Sequence, residues 1–461
     1  MTLTKQKLIP YQVSDRGPAV EVSDLNNDGM DDIFFGGSKH QPAKIFYQTQ
    51  KGFFEREIKA FKQDSVSEDI SVIAEDFNKD GSTDLFVVSG GGEFSGESSP
   101  LQDRLYIGKN GTFEKTELPS YFENGSIVKA ADFDKDGDVD LFVGGAAVPN
   151  DFGRIPQSFL LINNNGRFTI ADNDNVKTSG MVTDAEWTDF DGDGWIDLIV
   201  IGEWMSPKFF RNNRGNLEDV TSDYLMEELR GLWQTIIPFD INGDGNMDYL
   251  LGNWGLNSKF SATKEFPLKM YYSDFDGNGS TETITTYARE GKYYTVAGLD
   301  ELVGQLSYLR KKFPSYKDFA GKSIEDIFDK AQLNKSNLLE VNTLSSGYLL
   351  NFGEKYTFKP FKENLQVAPI TSFLAGDFNN DGKEEVLIGG NYFGVTPYHG
   401  RLSSLAGNVI VNEKTTIEGN ALGLNFTQKA VRNLKLINFQ GAKYLMVIIN
   451  NDTPQFYKLD N

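Results

Sequence analysis

Acidic residues recur in one fixed spacing along this chain of 461 residues. DLNNDGMDD starts at Asp24, DFNKDGSTD at Asp76, DFDKDGDVD at Asp132, DFDGDGWID at Asp189, DINGDGNMD at Asp240, DFDGNGSTE at Asp274 and DFNNDGKEE at Asp377. Side chains at positions 1, 3, 5 and 9 can converge with the backbone carbonyl of position 7, and the glycine at position 6 allows the sharp turn. Hard oxygen ligands in that number suit Ca2+, whereas Mg2+ keeps more of its waters and demands a stricter octahedron.

The candidate ligands are Asp24, Asn26, Asp28, Met30 and Asp32 in loop one, and Asp76, Asn78, Asp80, Ser82 and Asp84 in loop two. Loop three offers Asp132, Asp134, Asp136, Asp138 and Asp140; loop four offers Asp189, Asp191, Asp193, Trp195 and Asp197. Loop five follows with Asp240, Asn242, Asp244, Asn246 and Asp248. A loop at Asp274 adds Asp276, Asn278, Ser280 and Glu282, and the last carries Asp377, Asn379, Asp381, Lys383 and Glu385.

An EF-hand shares this start but needs a Glu at position 12 and flanking helices. Position 12 of loop three is Val143, and strand-forming residues stand on both sides. NDG pairs also make plain hairpin turns, but a turn does not require the same acids seven times. A catalytic metal would need an open coordination position and a base nearby, and repeated identical sites suit architecture better than chemistry. The expectation is structural Ca2+ at up to seven sites.

Bulk composition agrees with a cation as counterpart. Asp plus Glu outnumber Lys plus Arg by 66 to 45, for a net charge of -21, which argues against nucleic acid or anionic lipid as a partner. Cysteine is absent, so disulfides, thiolate nucleophiles and Cys-ligated metals are excluded. No window approaches the ~18 apolar residues needed to span a bilayer.

The loops must be positioned by something that repeats with them. Their starts lie 52, 56, 57, 51, 34 and 103 residues apart. Most copies share a frame: an apolar stretch before (SIVKAADFD), a strand after (VDLFVGG), then a hairpin such as SFLLINNNGRFTI. Four short strands in roughly 50 residues, repeated, predict the blades of a β-propeller. The fold class is therefore all-β. Six acid-bearing units and a degenerate seventh, LKLINFQGAKYLMVIINND, predict seven blades, with eight as the alternative.

The short 34-residue spacing places residues 254–345 as an insertion in blade five, with its own acid loop and two helices. One helix is capped by Asp300, carries Leu302, Leu306, Leu309 and Phe313 and ends at Pro314; the other is capped by Ser323 with Asp326. The whole of residues 1–461 forms one domain in this reading. Its ring is closed by residues 3–13 joining the C-terminal strands in one blade, which removes an open edge.

These motifs resemble the FG-GAP/VCBS repeat β-propellers, whose blades carry DxDxDGxxD calcium loops. GLWQTIIPFDINGDGNMDYLLGNWGLNSKF, PLKMYYSDFDGNGSTET, VPNDFGRIPQSFLLINNNGRF and DELVGQLSYLRKKFPSYKDFA look like the cartilage acidic protein-like, ASPIC/UnbV-associated branch. The resemblance implies an exported, extracellular or cell-surface location and a non-enzymatic binding or adhesion role. It also implies that the chain can be one part of a larger polypeptide or assembly.

In a propeller the loops joining strands two and three lie opposite the acid loops. Here they are long and aromatic, and they bring the candidate ligand-binding residues Phe152, Arg154, Trp204, Trp254, Tyr398, His399 and Arg401 to one face. Aromatic planes with Arg beside them suit a sugar ring or a protein hot spot. The expected partner is a protein or a surface glycan. The alternative is a calcium-dependent polysaccharide lyase, for which His399 with Arg401 is the pair that invites the chemistry.

Overall fold

The computed structural model describes residues 6–353, 355–396 and 400–459. Eight antiparallel sheets account for all the named strands. Blade one runs Val20–Ser23, Asp32–Phe35, Lys44–Thr49, Gly52–Arg56, and its strands pair in chain order. Blades two, three, four and six repeat that order from Glu68, Asn124, Met181 and Ile370. Blade five is split: Thr235–Pro238 and Tyr249–Gly252 pair with Gly347–Asn351 and Tyr356–Pro360, with Tyr249 opposite Leu349.

The first strands of seven sheets pack in cyclic order, each against the next, and Val431–Phe439 returns to Val20–Ser23. Second strands are the hydrophobic cores of the blades. Asp84–Gly90, Asp140–Ala147 and Asp197–Met205 are buried at every position, because both faces are covered by neighbouring sheets. That is why DLFVVSG and DLIVIGEWM read as continuous apolar runs and not as alternations. Close approach of blades requires missing side chains: a Cβ on Gly125 would lie 2.3 Å from Val88 Cγ1.

The eighth sheet is the insertion. Its order is Lys292–Thr295, Glu282–Arg289, Leu268–Ser273, Asn337–Val341, and the acid loop at Asp274 joins its two central strands. The helical part differs from the sequence reading. Leu302, Leu306, Leu309 and Phe313 are all buried, but the expected single helix is two, Leu299–Gln305 and Leu309–Lys312, because the backbone turns out of helix at Leu306. The first is capped from Gly298, whose N–H donates to Glu301 Oε2, and not from Asp300. Ser323 and Asp326 form the expected capping box on Ile324–Ile327. Two further short helices, Tyr316–Phe319 and Lys330–Lys335, complete five among the described residues of the insertion.

Ring closure also departs from expectation. Blade seven has three strands among the described residues, and residues 6–13 do not join it. They cross the opposite face of the ring instead, where Ile9, Tyr11 and Val13 are buried with the insertion. Tyr11 pairs with Val395. Burying three apolar side chains there contributes roughly 1.5–3 kcal/mol each.

Candidate metal loops and the opposite face

Seven acid loops share one backbone. Position 4 is left-handed in all of them, with φ of 63° at Asn27, 57° at Lys79, 62° at Lys135 and 60° at Asn380, and glycine in the other three. The position-6 glycine follows, also left-handed. Its N–H donates to the position-1 carboxylate in each loop, from 2.7 Å at Asp24 to 3.1 Å at Asp132. The position-7 N–H donates to the Oδ1 of position 5, as in Met30 to Asp28 at 2.9 Å and Trp195 to Asp193 at 2.7 Å. Two turns in series thus aim the side chains of positions 1, 3 and 5 toward one point.

Position 9 opens the second strand and is the buried member. Asp32, Asp84, Asp140, Asp197 and Asp248 are all fully buried. In each of those five loops its Oδ1 accepts an N–H from the third strand, as from Gln48 at 2.7 Å and Asn212 at 2.7 Å. One carboxylate therefore ties the loop to two strands. Burial pushes Asp32, Asp84 and Asp248 up to about 6, and Asp140 and Asp197 up to about 7. Backbone N–H donors oppose the shift and the neighbouring carboxylates add to it. Glu282 and Glu385 move the same way for the same reason.

The donor set fits a hard cation. Carboxylate oxygens of Asp132, Asp134 and Asp136 lie within 4.8 Å of one another, as do those of Asp189, Asp191 and Asp197, of Asp274, Asp276 and Glu282, and of Asp377, Asp381 and Glu385. Asp140 Oδ2 and Asn26 Oδ1 are shut off from water and accept no hydrogen bond. Buried acceptors without donors are costly, and a coordinated cation would satisfy them.

The opposite face is not the open aromatic surface that the sequence suggests. Phe152, Trp204 and Trp254 are 1%, 4% and 2% exposed and belong to the same core cluster as Leu268, Met270 and Val341 of the insertion sheet. Trp254 lies 4.9 Å from the Tyr11 ring and 5.5 Å from Tyr392. These three aromatics are core residues because the insertion and residues 8–13 cover them. Arg154 stays exposed beside Asp151 at 3.5 Å, and Arg401 is exposed with its guanidinium 5.1 Å from the Phe393 ring. Tyr398 and His399 lie outside the described residues.

A buried polar knot escaped the sequence reading. Glu203 is 3% exposed; it accepts from Tyr11 Oη at 2.7 Å and Gln234 Nε2 at 2.9 Å and pairs with Arg16 at 2.9 Å. Trp204 Nε1 in turn donates to the Tyr11 hydroxyl at 3.1 Å. The signal was a glutamate inside the apolar run DLIVIGEWM. The knot forms part of the wall of a cavity of about 610 Å3 within the ring, lined also by Lys129, Asp184, Glu186, Glu21 and Lys435. Its charges are paired, with Lys129 3.2 Å from Glu186 and Lys435 3.0 Å from Glu21.

The FG-GAP-like repeat model matches residues 24–87, 76–143 and 189–251. No curated protein matches the chain. Among solved structures, an Agrocybe aegerita lectin described as recognising non-reducing terminal N-acetylglucosamine is 12% identical, covering 90% of this chain and 81% of its own, with a TM-score of 0.43. BBS1N in complex with ARL6DN is 11% identical over 98% of this chain and 94% of that one, with a TM-score of 0.45. Sqt1 of Saccharomyces cerevisiae is 11% identical over 98% and 100%, with a TM-score of 0.44. No described helix is long and apolar enough to cross a membrane.

Proposed function

The chain is a β-propeller that carries FG-GAP-like repeats, and from that premise we propose a non-catalytic, calcium-stapled binding module of the extracellular space or cell surface. One observation carries the reading. The acid loops repeat one geometry whose position-9 carboxylate is buried and tied to two strands, so a cation there holds blade architecture and leaves no site for substrate chemistry. The residues named above at positions 1, 3, 5, 7 and 9 would hold the ions, which supply positive charge between carboxylates and satisfy their buried oxygens.

The partner surface is the outer side of the covered face. Leu256 and Phe266 are 56% and 40% exposed there, and an ion pair joins Lys264 to Glu227. Exposed apolar groups beside charged neighbours suit a protein partner; Arg154 and Arg401 at the rim suit a glycan.

Binding of the purified chain to a polysaccharide panel and to extracellular matrix proteins tests the module. Binding weakened by Phe266→Asp with unchanged melting supports it. Release of an unsaturated sugar product from an acidic polysaccharide, followed by ultraviolet absorbance, would replace it with an enzyme.

A further inference from the structure

Consecutive acid loops touch one another, and they do so by a repeated rule. The position-4 side chain of each of the first three loops reaches forward to positions 6 and 7 of the next. Asn27 Nδ2 donates to Gly81 O. Lys79 Nζ is 2.6 Å from Asp138 Oδ1. Lys135 Nζ donates to Gly194 O at 2.8 Å and stands 4.2 Å from the Trp195 ring.

A second contact runs between the same pairs. The last hairpin turn of each following blade presses a glycine onto position 3 of the preceding loop. A Cβ on Gly111 would lie 3.1 Å from Asn26 Cβ, on Gly166 2.8 Å from Asn78 Cβ, and on Gly215 3.2 Å from Asp134 Cβ. The belt then stops. Position 4 is Gly192 in loop four, Gly243 in loop five and Gly277 in the insertion loop, with no side chain to reach anywhere, and blade seven has no acid loop for the Asp377 loop of blade six to meet.

Lysine at a left-handed position is strained where glycine is not, yet Lys79 and Lys135 stand there and both are used. We infer that loops one to four load cations as one positively coupled set, while loop five, the insertion loop and the Asp377 loop of blade six load independently. The inference rests on the cation reading above and deepens it. Filling a loop fixes its position 4 between two ligands, which fixes the side chain of Asn27, Lys79 or Lys135, which holds positions 6 and 7 of the next loop in their liganding conformation. The second ion then binds a loop whose ordering has been partly done, and linkage makes the effect reciprocal. Charge alone would give the opposite sign, since ions and lysines are all cations.

Terbium titrated into the chelator-stripped full chain tests this, read through luminescence sensitised by Trp195 at position 7 of loop four and assigned by its loss in Trp195→Phe. Disabling loop three with Asp132→Asn and Asp136→Asn should raise the loop-four midpoint about five-fold, the low end of ordinary coupling. Lys135→Met, which leaves every ligand in place, should raise it comparably, and the two together no further than either alone. Disabling loop five with Asp240→Asn and Asp244→Asn should leave the midpoint where it was. A midpoint unmoved or lowered by the loop-three changes would overturn the coupling, as would additive effects of the lysine and the loop. No sensitised emission in the unaltered chain would overturn the cation reading itself.

Discussion

The two faces of this ring are held by opposite means. On one, charged loops repeat a single backbone and order themselves through carboxylates; on the other, unrelated loops, residues 8–13 and an inserted sheet share a hydrophobic cluster around Trp254 and Tyr11. Repetition signals the first kind of stability and irregularity conceals the second. In the proposed reading the six acid loops of the blades depend on dissolved cations, while the other face is held by packing around Trp254 and by the Glu203 knot, with the Asp274 loop of the insertion as its own candidate ion site.

Chelation should separate them most sharply. An ion held at 100 times its Kd stabilises by about 2.7 kcal/mol per site, so in a chain of this length removal should lower Tm by about 3 °C per loop, or about 20 °C if all seven are emptied, in a calorimetric scan. An unchanged melt would mean that the loops fold without ions. Trp254→Ala should come next, costing about 3–5 kcal/mol by leaving a cavity among Tyr11, Phe260 and Tyr392. That loss should be of the same size with and without chelator, as urea unfolding can measure, because none of the rings around Trp254 is a candidate metal ligand.

A smaller effect concerns Asp103, a buried acid outside both the acid loops and the Trp254 cluster. It accepts from Ser89 N and Tyr121 Oη, both at 2.8 Å, and burial pushes it up to about 7. A folded-state value above the unfolded one, about 3.9, makes its contribution full below pH 4 and progressively lost as pH rises to 7. With calcium saturating, Asp103→Asn should therefore flatten the fall of Tm between pH 5 and 8; an identical slope would show that other groups set it. Smallest of all, Arg401→Ala should change stability by under about 0.5 kcal/mol, since its guanidinium is exposed over Phe393.

What was legible in the sequence follows the same division. Seven copies of an acid spacing, each before a run such as DLFVVSG, carry the four-stranded units and the metal candidates, because strand burial on both sides and carboxylate convergence are local demands on the chain. The aromatic residues were legible as a group but not in role. Phe152 and Trp254 lie in loops and Trp204 at the end of a strand, and only the placement of Leu268 and Met270 from later in the chain turns a candidate surface into a core. Residues 3–13 misled for the same reason: an extended apolar stretch fits a vacant strand position or a hydrophobic groove equally well, and the buried hydroxyl of Tyr11, donated to Glu203, decides for the groove. The broken helix at Leu306 shows the limit of periodicity, since its four apolar residues are buried as expected without one helix joining them.

Native mass spectrometry of the full chain, taken from calcium-containing buffer and again after chelation, tests the central claim most directly. The account predicts several bound calcium ions, up to seven, all lost with chelator and restored on adding calcium back. A mass equal to the bare chain in saturating calcium would contradict it.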